Sequence, residues 1–273
     1  MDIKITSSIV LYNNNIEMLQ NAIDSLLRTN ILYKLFLVDN SLSDNLRFLK
    51  NKDSRIFYIH NPSNPGFGAA HNIAIKKSIE VDSKYHFIVN PDIYFEGDVI
   101  TPLVNYMKQN NDVGMVMPQI LNLDSTMQNL PKLLPSPLGL LLRKLKRPNW
   151  YYNKFINKYE LRFVNKEQIY NAPIISGCFT LINIKAIKEI GMYDDTYFMY
   201  FEDWDLSRRM HNKYKTIYFP KVSVYHEYNS GANSTFKLFR IFISSAITYF
   251  NKWGWIFDNS RKKINHNTLS QFK

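Results

Sequence analysis

Cysteine is all but absent from this chain: Cys178 is the single one in 273 residues. That excludes an internal disulfide framework and fits a reducing compartment. Within Ser176-Gly177-Cys178-Phe179 the lone thiol reads as a small packing hydrophobe, not a nucleophile. Long apolar runs are missing too. None approaches the ~20 residues needed to span a bilayer. The start, Met1-Asp2-Ile3-Lys4-Ile5, lacks the apolar stretch of a signal peptide. The expectation is a soluble or peripheral cytoplasmic protein. Zinc-ligand spacing, a basic helix with heptads and an RNA-recognition signature are all absent, which argues against sequence-specific nucleic-acid binding. Acidic residues are the scarcer charge, 23 against 34 Lys and Arg, for a net +11. With nucleic acid set aside, an anionic membrane surface is the other usual destination for such a charge.

What is present is the material of a folded α/β protein. Apolar residues make up 45% and charged residues 21%, and 18 Tyr, 18 Phe and 4 Trp supply bulk for a core. Ile3 to Tyr12 reads as a buried strand, followed by a helix from Ile16 to Leu27 with Leu19, Ile23, Leu26 and Leu27 at helical spacing. Leu35 to Val38, Ile56 to Ile59 and Tyr85 to Val89 read as further strands, with a helix over about Ala69–Ile79. This alternation predicts a mostly parallel central sheet flanked by helices, with ligands beyond the carboxyl ends of its strands. Between Leu121 and Asn171 the pattern loosens around the basic, apolar stretch Leu138 to Arg147, a connecting helix or a segment over the active site or a membrane. Order returns over Ile174–Ile182, in helices at Lys185–Ile190 and Glu202–Asn212, and in extended stretches at Thr216–Phe219 and Val222–Tyr225. Phe236 to Phe257 is too polar to span a membrane and aromatic enough to lie on one.

The chemistry gathers at a few places. Asn90-Pro91-Asp92 closes the fourth strand. A carboxylate there suits Mg²⁺ or Mn²⁺, hard ions held by one or two acids plus substrate phosphates. His226, after another apolar run, is a candidate to complete that site as a neutral imidazole. Asp39 ends the second strand and could accept from a pyrimidine imide or a ribose hydroxyl, or simply cap a turn. Asn64-Pro65-Gly66-Phe67-Gly68-Ala69-Ala70-His71-Asn72 leads into a helix whose amino end favours phosphate, although it is neither a dinucleotide fingerprint nor a P-loop. Glu202, Asp203 and Asp205 lie near a helix start among Tyr200 and Trp204, so a general base beside an aromatic platform is expected there. Arg208 and Arg209 on the same helix are expected either to keep these acids ionised or to make ordinary i, i+4 pairs.

With these residues in order, the chain resembles family-two glycosyltransferases of the GT-A fold, nearest to a bacterial rhamnosyltransferase-like branch of O-antigen and capsular polysaccharide synthesis. The likeness spans about residues 3–230 and rests on Ser8-Ile9-Val10-Leu11-Tyr12-Asn13, Val38-Asp39-Asn40-Ser41, Asn64 to Gly68, Asn90-Pro91-Asp92, Ser176 to Phe179, Gly191-Met192-Tyr193-Asp194 and Tyr197 to Leu206 with Arg209. The resemblance implies a GT-A domain over residues 1–230 and a C-terminal amphipathic helical tail over 231–273. It implies donor contacts from Tyr12, Asp39, Gly66, Asn72, Asn90 and Asp92, and acceptor contacts from Tyr200, Glu202 and Trp204. Asp92 and His226 would hold the divalent ion, Mg²⁺ or Mn²⁺, and Asp203 would be the catalytic base of an inverting transfer. Asn90 stands where the family pattern has a first acid, leaving fewer charges on the metal.

The implied partners are a nucleotide-sugar donor, dTDP- or UDP-linked, and a lipid-diphosphate-linked glycan acceptor. An anionic membrane surface is the third, on the inner face of a bacterial plasma membrane. dTDP-rhamnose is the favoured donor; a UDP-hexose or UDP-galactofuranose would look much the same. Other readings are a nucleotidyltransferase, which lacks a convincing glycine-rich loop here, and a non-catalytic sugar-nucleotide-binding scaffold. A homo-oligomer stays open.

Overall fold

The computed structural model describes residues 4–227 and 235–273. Ile3, where the first strand is expected to begin, and the expected domain boundary at 230/231 lie outside the described residues. The chain runs β1 (Ile5–Leu11), α1 (Ile16–Leu27), β2 (Leu32–Asp39), β3 (Ile56–His60), α2 (Phe67–Glu80), β4 (Tyr85–Val89) and β5 (Ile93–Tyr94). It continues through α3 (Ile100–Gln109), β6 (Val113–Leu121), α4 (Pro137–Leu145), α5 (Asn149–Tyr159), β7 (Tyr170–Asn171), β8 (Phe179–Asn183) and α6 (Ile184–Ile190). The last elements are α7 (Glu202–His211), β9 (Lys215–His226), α8 (Phe236–Trp253) and α9 (Asn259–Ser270).

One sheet organises them, in the order β3-β2-β1-β4-β8-β6-β9-β5, with β7 on β9. The first four strands pair in parallel, as the alternation predicts. The second half is mixed: β8 runs antiparallel to β4 and β6, whereas β6 and β9 are parallel. Every residue of β1 and β4 is buried, as it must be where helices cover both faces. Helix α1 begins where the Asn15 side chain accepts from the Glu17 and Met18 N–H groups, and it buries Leu19, Ala22, Ile23 and Leu26. Small residues Ala70 and Ala74 let α2 pack closely against Val10, Phe36 and Val38.

Two extended stretches expected on either side of Pro220 are one strand, β9. Its register with β6 slips between Pro118 and Gln119, where Phe219 and Ser223 become consecutive partners. A bulge absorbs the residues between them, including a proline that cannot donate to the ladder. The stretch from Ile174 to Cys178, expected to be regular, is mostly irregular, and β8 begins only at Phe179. The loosened region holds two short helices, α4 and α5, joined to the core through Leu142, Ile156 and Tyr159.

The tail packs on the domain. Asp205 of α7 accepts from the Trp253 indole (2.8 Å), and Arg208 forms a buried 2.7 Å ion pair with Asp258 at the start of α9. Farther on, Asn265 exchanges hydrogen bonds with the Leu134 backbone. Among the described residues no helix is long and apolar enough to cross a membrane.

Candidate functional site

The carboxyl ends of β1, β2 and β3 stop together, with Leu11, Asp39 and His60 in register. Asp39 is fully buried there. One carboxylate oxygen accepts from the Ser41 N–H (2.9 Å), the other from the Tyr58 hydroxyl (2.5 Å). The turn-capping duty is therefore real, and it fixes the carboxylate at the strand edge. Tyr12, one residue past β1, is 54% exposed, so its ring is open to a planar ligand.

Beside this edge, Gly66 precedes α2 at φ +103°, where a Cβ would lie 2.1 Å from the Phe198 carbonyl oxygen. The adjacent Phe67 N–H donates to that same oxygen at 2.9 Å. Glycine is thus required by the close approach of two backbones. Asn72, expected to touch the donor, is buried and fully engaged elsewhere. Its amide bonds the Tyr193 carbonyl, the Asp195 carboxylate and the Tyr193 N–H. It clamps the 193–195 turn, and we leave it out of the donor set.

The metal candidates meet because β5 pairs antiparallel with β9, Ile93 opposite His226. That register sets Asp92 Oδ1 3.2 Å from His226 Nε2, although 134 positions separate them in sequence. Asp92 Oδ1 and Asn90 Oδ1 are both buried and accept no hydrogen bond, a costly arrangement unless something else fills their lone pairs. Two oxygens and an imidazole nitrogen fit Mg²⁺ or Mn²⁺. Among the described residues no group of three acid, histidine or cysteine side chains is arranged to hold a metal ion, so donor phosphates and water would complete the coordination.

Asp203 reaches this edge through one short path. The Asn90 N–H donates to the Cys178 carbonyl (2.8 Å), and the neighbouring Gly177 N–H donates to Asp203 Oδ2 (3.3 Å). Asp203 Oδ1 accepts from the Trp204 N–H at 2.9 Å. The approach to α7 is sharp: Tyr200 and Phe201 both lie in the left-handed region, at φ 69° and 66°. Such backbone costs roughly 1–3 kcal/mol per residue and persists only where packing over-determines it. Here α8 does so, with Phe242 against Tyr200 and Phe201, and Tyr249 against Phe201 and Trp204.

Burial raises both acids of the Glu202–Asp203 pair, by different amounts. Glu202 is pushed well above its ordinary value by burial and then by the charge of Asp203, and its Oε2 has no hydrogen-bond partner. Asp203 rises by burial but is held back by the Gly177 N–H, the Lys132 ammonium and the Trp204 N–H. The pair's negative charge therefore rests on Asp203. Two acids driven apart by their surroundings are the pattern expected of a general base beside a neutral neighbour.

The sequence model described as glycosyl transferase family 2 matches residues 8–191, from β1 through α6. The chain belongs to glycosyl transferase family 2. Its relatives include the N-acetylglucosaminyl-diphospho-decaprenol L-rhamnosyltransferase of Mycobacterium tuberculosis, 24% identical over 175 residues, covering 60% of this chain and 56% of that one. The rhamnosyltransferase WbbL of Escherichia coli is 25% identical over 231 residues, covering 80% and 81% of the two chains. The chain thus spans little more than half the length of the mycobacterial relative. Among solved structures, the mannosyltransferase PcManGT of Pyrobaculum calidifontis, in complex with GDP-Man and Mn²⁺, superposes with a TM-score of 0.60 at 15% identity, covering 91% of this chain and 63% of that one. That likeness establishes the GT-A fold.

Within this family-2 site, three features were not legible in the sequence. Arg208 and Arg209 do not support Glu202 or Asp203. Arg209 makes the ordinary i, i+4 pair that was one of the two expectations, with Asp205 at 2.8 Å, whereas Arg208 turns away to Asp258 and the Trp253 ring. The cation at the base is Lys132, from the irregular segment before α4, where a bridge to Ile174 fixes its backbone. Burial pulls its amine down to about 8. The third is Gln128, hydrogen-bonded to His226. Cys178 behaves as expected, a buried thiol pushed up to about 12.

Proposed function

We propose that this family-2 protein transfers a sugar, L-rhamnose from dTDP-rhamnose by preference, to a hydroxyl of a lipid-diphosphate-linked glycan in a single inverting displacement. The observation that carries the reading is the convergence of Asp92, His226 and Asp203 at one sheet edge, linked through Asn90, Cys178 and Gly177. Tyr12 and Asp39 hold the nucleotide at the neighbouring strand ends. Asp92 and His226, with Asn90 beside them, would hold a divalent cation, which would supply charge neutralisation for the departing diphosphate. Asp203 takes the proton of the acceptor hydroxyl as its oxygen attacks the anomeric carbon, and Tyr200, Glu202 and Trp204 shape the acceptor side. Likeness to the mycobacterial N-acetylglucosaminyl-diphospho-decaprenol L-rhamnosyltransferase supports both sugar and acceptor class. A UDP-hexose or UDP-galactofuranose is the alternative donor.

A thermal-shift screen of sugar nucleotides and nucleoside diphosphates tests this. Ligand at about 100 times its Kd adds roughly 2.7 kcal/mol to native-state stability. One nucleotide class should raise the melting temperature with Mn²⁺ or Mg²⁺, and chelator or Asp92→Ala should abolish the shift. A shift of equal size with chelator and in Asp92→Ala would sink the metal assignment.

The acceptor class also gives the positive charge a place. Helix α4 exposes Leu138, Leu141 and Leu145, and α8 exposes Phe236, Phe239, Ile243 and Ile247, each set at helical spacing along one side. Lys144 of α4 stands over the Phe239 ring of α8 (4.8 Å), which joins the two stripes. Arg143, Lys146, Arg147, Lys237 and Arg240 lie on or next to the same helices. An anionic bilayer complements such a surface, at about 1 kcal/mol per basic residue near the headgroups. The protein should float with anionic vesicles, less so in high salt, and not with neutral ones; salt-independent failure to float would refute the docking.

A further inference from the structure

Gln128 has no assigned part in the site, yet its side chain is placed to govern His226. It follows the tight turn after β6, where its N–H donates to the Ile120 carbonyl (2.9 Å) and Asn122 pairs with Thr126. The Gln128 amide nitrogen donates to Asn122 Oδ1 at 2.8 Å and to the main-chain carbonyl of His226 at 3.2 Å. A main-chain carbonyl can only accept, so this contact fixes which end of the amide is the NH₂. The other end, Oε1, lies 3.1 Å from His226 Nδ1. An amide oxygen only accepts, so Nδ1 must carry the imidazole proton. In a neutral imidazole Nε2 then presents a bare lone pair, and it does so 3.2 Å from Asp92 Oδ1.

We infer that Gln128 is a positioning residue that locks His226 in the Nδ1–H tautomer, so that Nε2 and Asp92 present lone pairs to one cation. In the opposite tautomer, Nε2–H would donate to Asp92 and close the pair on itself. Gln128 forbids that closure, because its oxygen would then face a second lone pair at Nδ1. An amide does this without adding the negative charge that a carboxylate partner would bring. The inference deepens the metal-dependent reading above and rests on it for its consequence, not for its geometry.

Long-range ¹H–¹⁵N NMR of the imidazole nitrogens in metal-free protein reads the tautomer directly. Wild-type His226 should show a protonated Nδ1 and an unprotonated Nε2. Gln128→Met, of similar length with no amide oxygen, should lose that preference, and Gln128→Glu, which still accepts at Nδ1, should restore it. Mn²⁺ binding, followed by EPR with dTDP or UDP present, should weaken about 10–100-fold in Gln128→Met and stay near wild type in Gln128→Glu. Melting curves of both variants exclude loss of fold as the cause. A protonated Nε2 in the wild type, or an unchanged tautomer and Mn²⁺ affinity in Gln128→Met, overturns the inference. Wild-type protein that shows the expected tautomer but takes up no Mn²⁺ with either nucleotide overturns instead the metal reading, so the two failures are distinct.

Discussion

Asp203→Asn should lose about 10²–10⁴-fold in turnover, the usual worth of a positioned general base, while donor binding stays near wild type. The amide preserves shape but keeps one acceptor oxygen, so it can still accept from only one of the Gly177 and Trp204 N–H groups, and it cannot take a proton. The proposed donor contacts, Tyr12, Asp39 and Asp92, lie at the ends of other strands, so donor affinity has no reason to fall. Single-turnover transfer and nucleotide binding, measured on the same preparation, separate the two. Near-normal turnover would remove Asp203 as the base.

The same assignment fixes a pH dependence. Asp203 must be ionised to act, so activity falls as pH drops through its pKa. Burial has raised that value above 3.8, the ordinary one for aspartate, and the Lys132 ammonium opposes the rise. Lys132→Met should therefore raise it further and move the acid limb of the pH–rate profile to higher pH. Activity at the alkaline plateau should be less affected than activity on the acid limb. A limb that stays in place would show that Lys132 does not act on the base. The neighbouring acid carries a stability signature of its own sign. Glu202, with its folded value raised, stabilises only while protonated, and that contribution is lost as pH climbs from about its unfolded value of 4.5 through the folded one.

How much of this was readable beforehand follows from how each feature is encoded. β1, α1, β2, β3 and β4 announce themselves by local periodicity and breakers, and the ends of β2 and β4 locate Asp39 and Asp92. The partnership of Asp92 with His226 depends on the β5–β9 register, a long-range pairing that no local pattern specifies; the ordered motifs supplied it through family likeness. β6 is not among the expected elements, and Gly114 and Pro118 are poor strand residues. The fold tolerates both, since Gly114 makes room for Met210 and a register slip follows Pro118. Arg208 and Arg209 are neighbours in sequence but about 100° apart around α7, so a single shared role was never geometrically open to them. Lys132 and Gln128 come from irregular chain between β6 and α4, where periodicity is silent and only tertiary structure sets what a side chain meets.

Gly66→Ala should be strongly damaging for so small a substitution, and its harm should appear at Asp203. The new Cβ would be asked to sit 2.1 Å from the Phe198 oxygen and 2.7 Å from its carbonyl carbon, both backbone atoms with no rotamer to yield. The φ of +103° adds strain of about 1–3 kcal/mol by itself, and forced overpacking typically adds about 1–3 kcal/mol more. Relief requires the 198 backbone to move outward, breaking the Phe67 N–H bond to Phe198. Two residues later the chain enters the left-handed pair Tyr200–Phe201 that aims the first turn of α7. A displacement at 198 is therefore delivered to Asp203 and Glu202 through a segment with little slack. Denaturant unfolding should show a loss of several kcal/mol. In protein still folded at low temperature, turnover should fall further than donor affinity. If instead donor affinity collapsed while turnover of bound donor held, Gly66 would be serving the nucleotide side alone, and its close contact with Phe198 would not couple the two halves of the site.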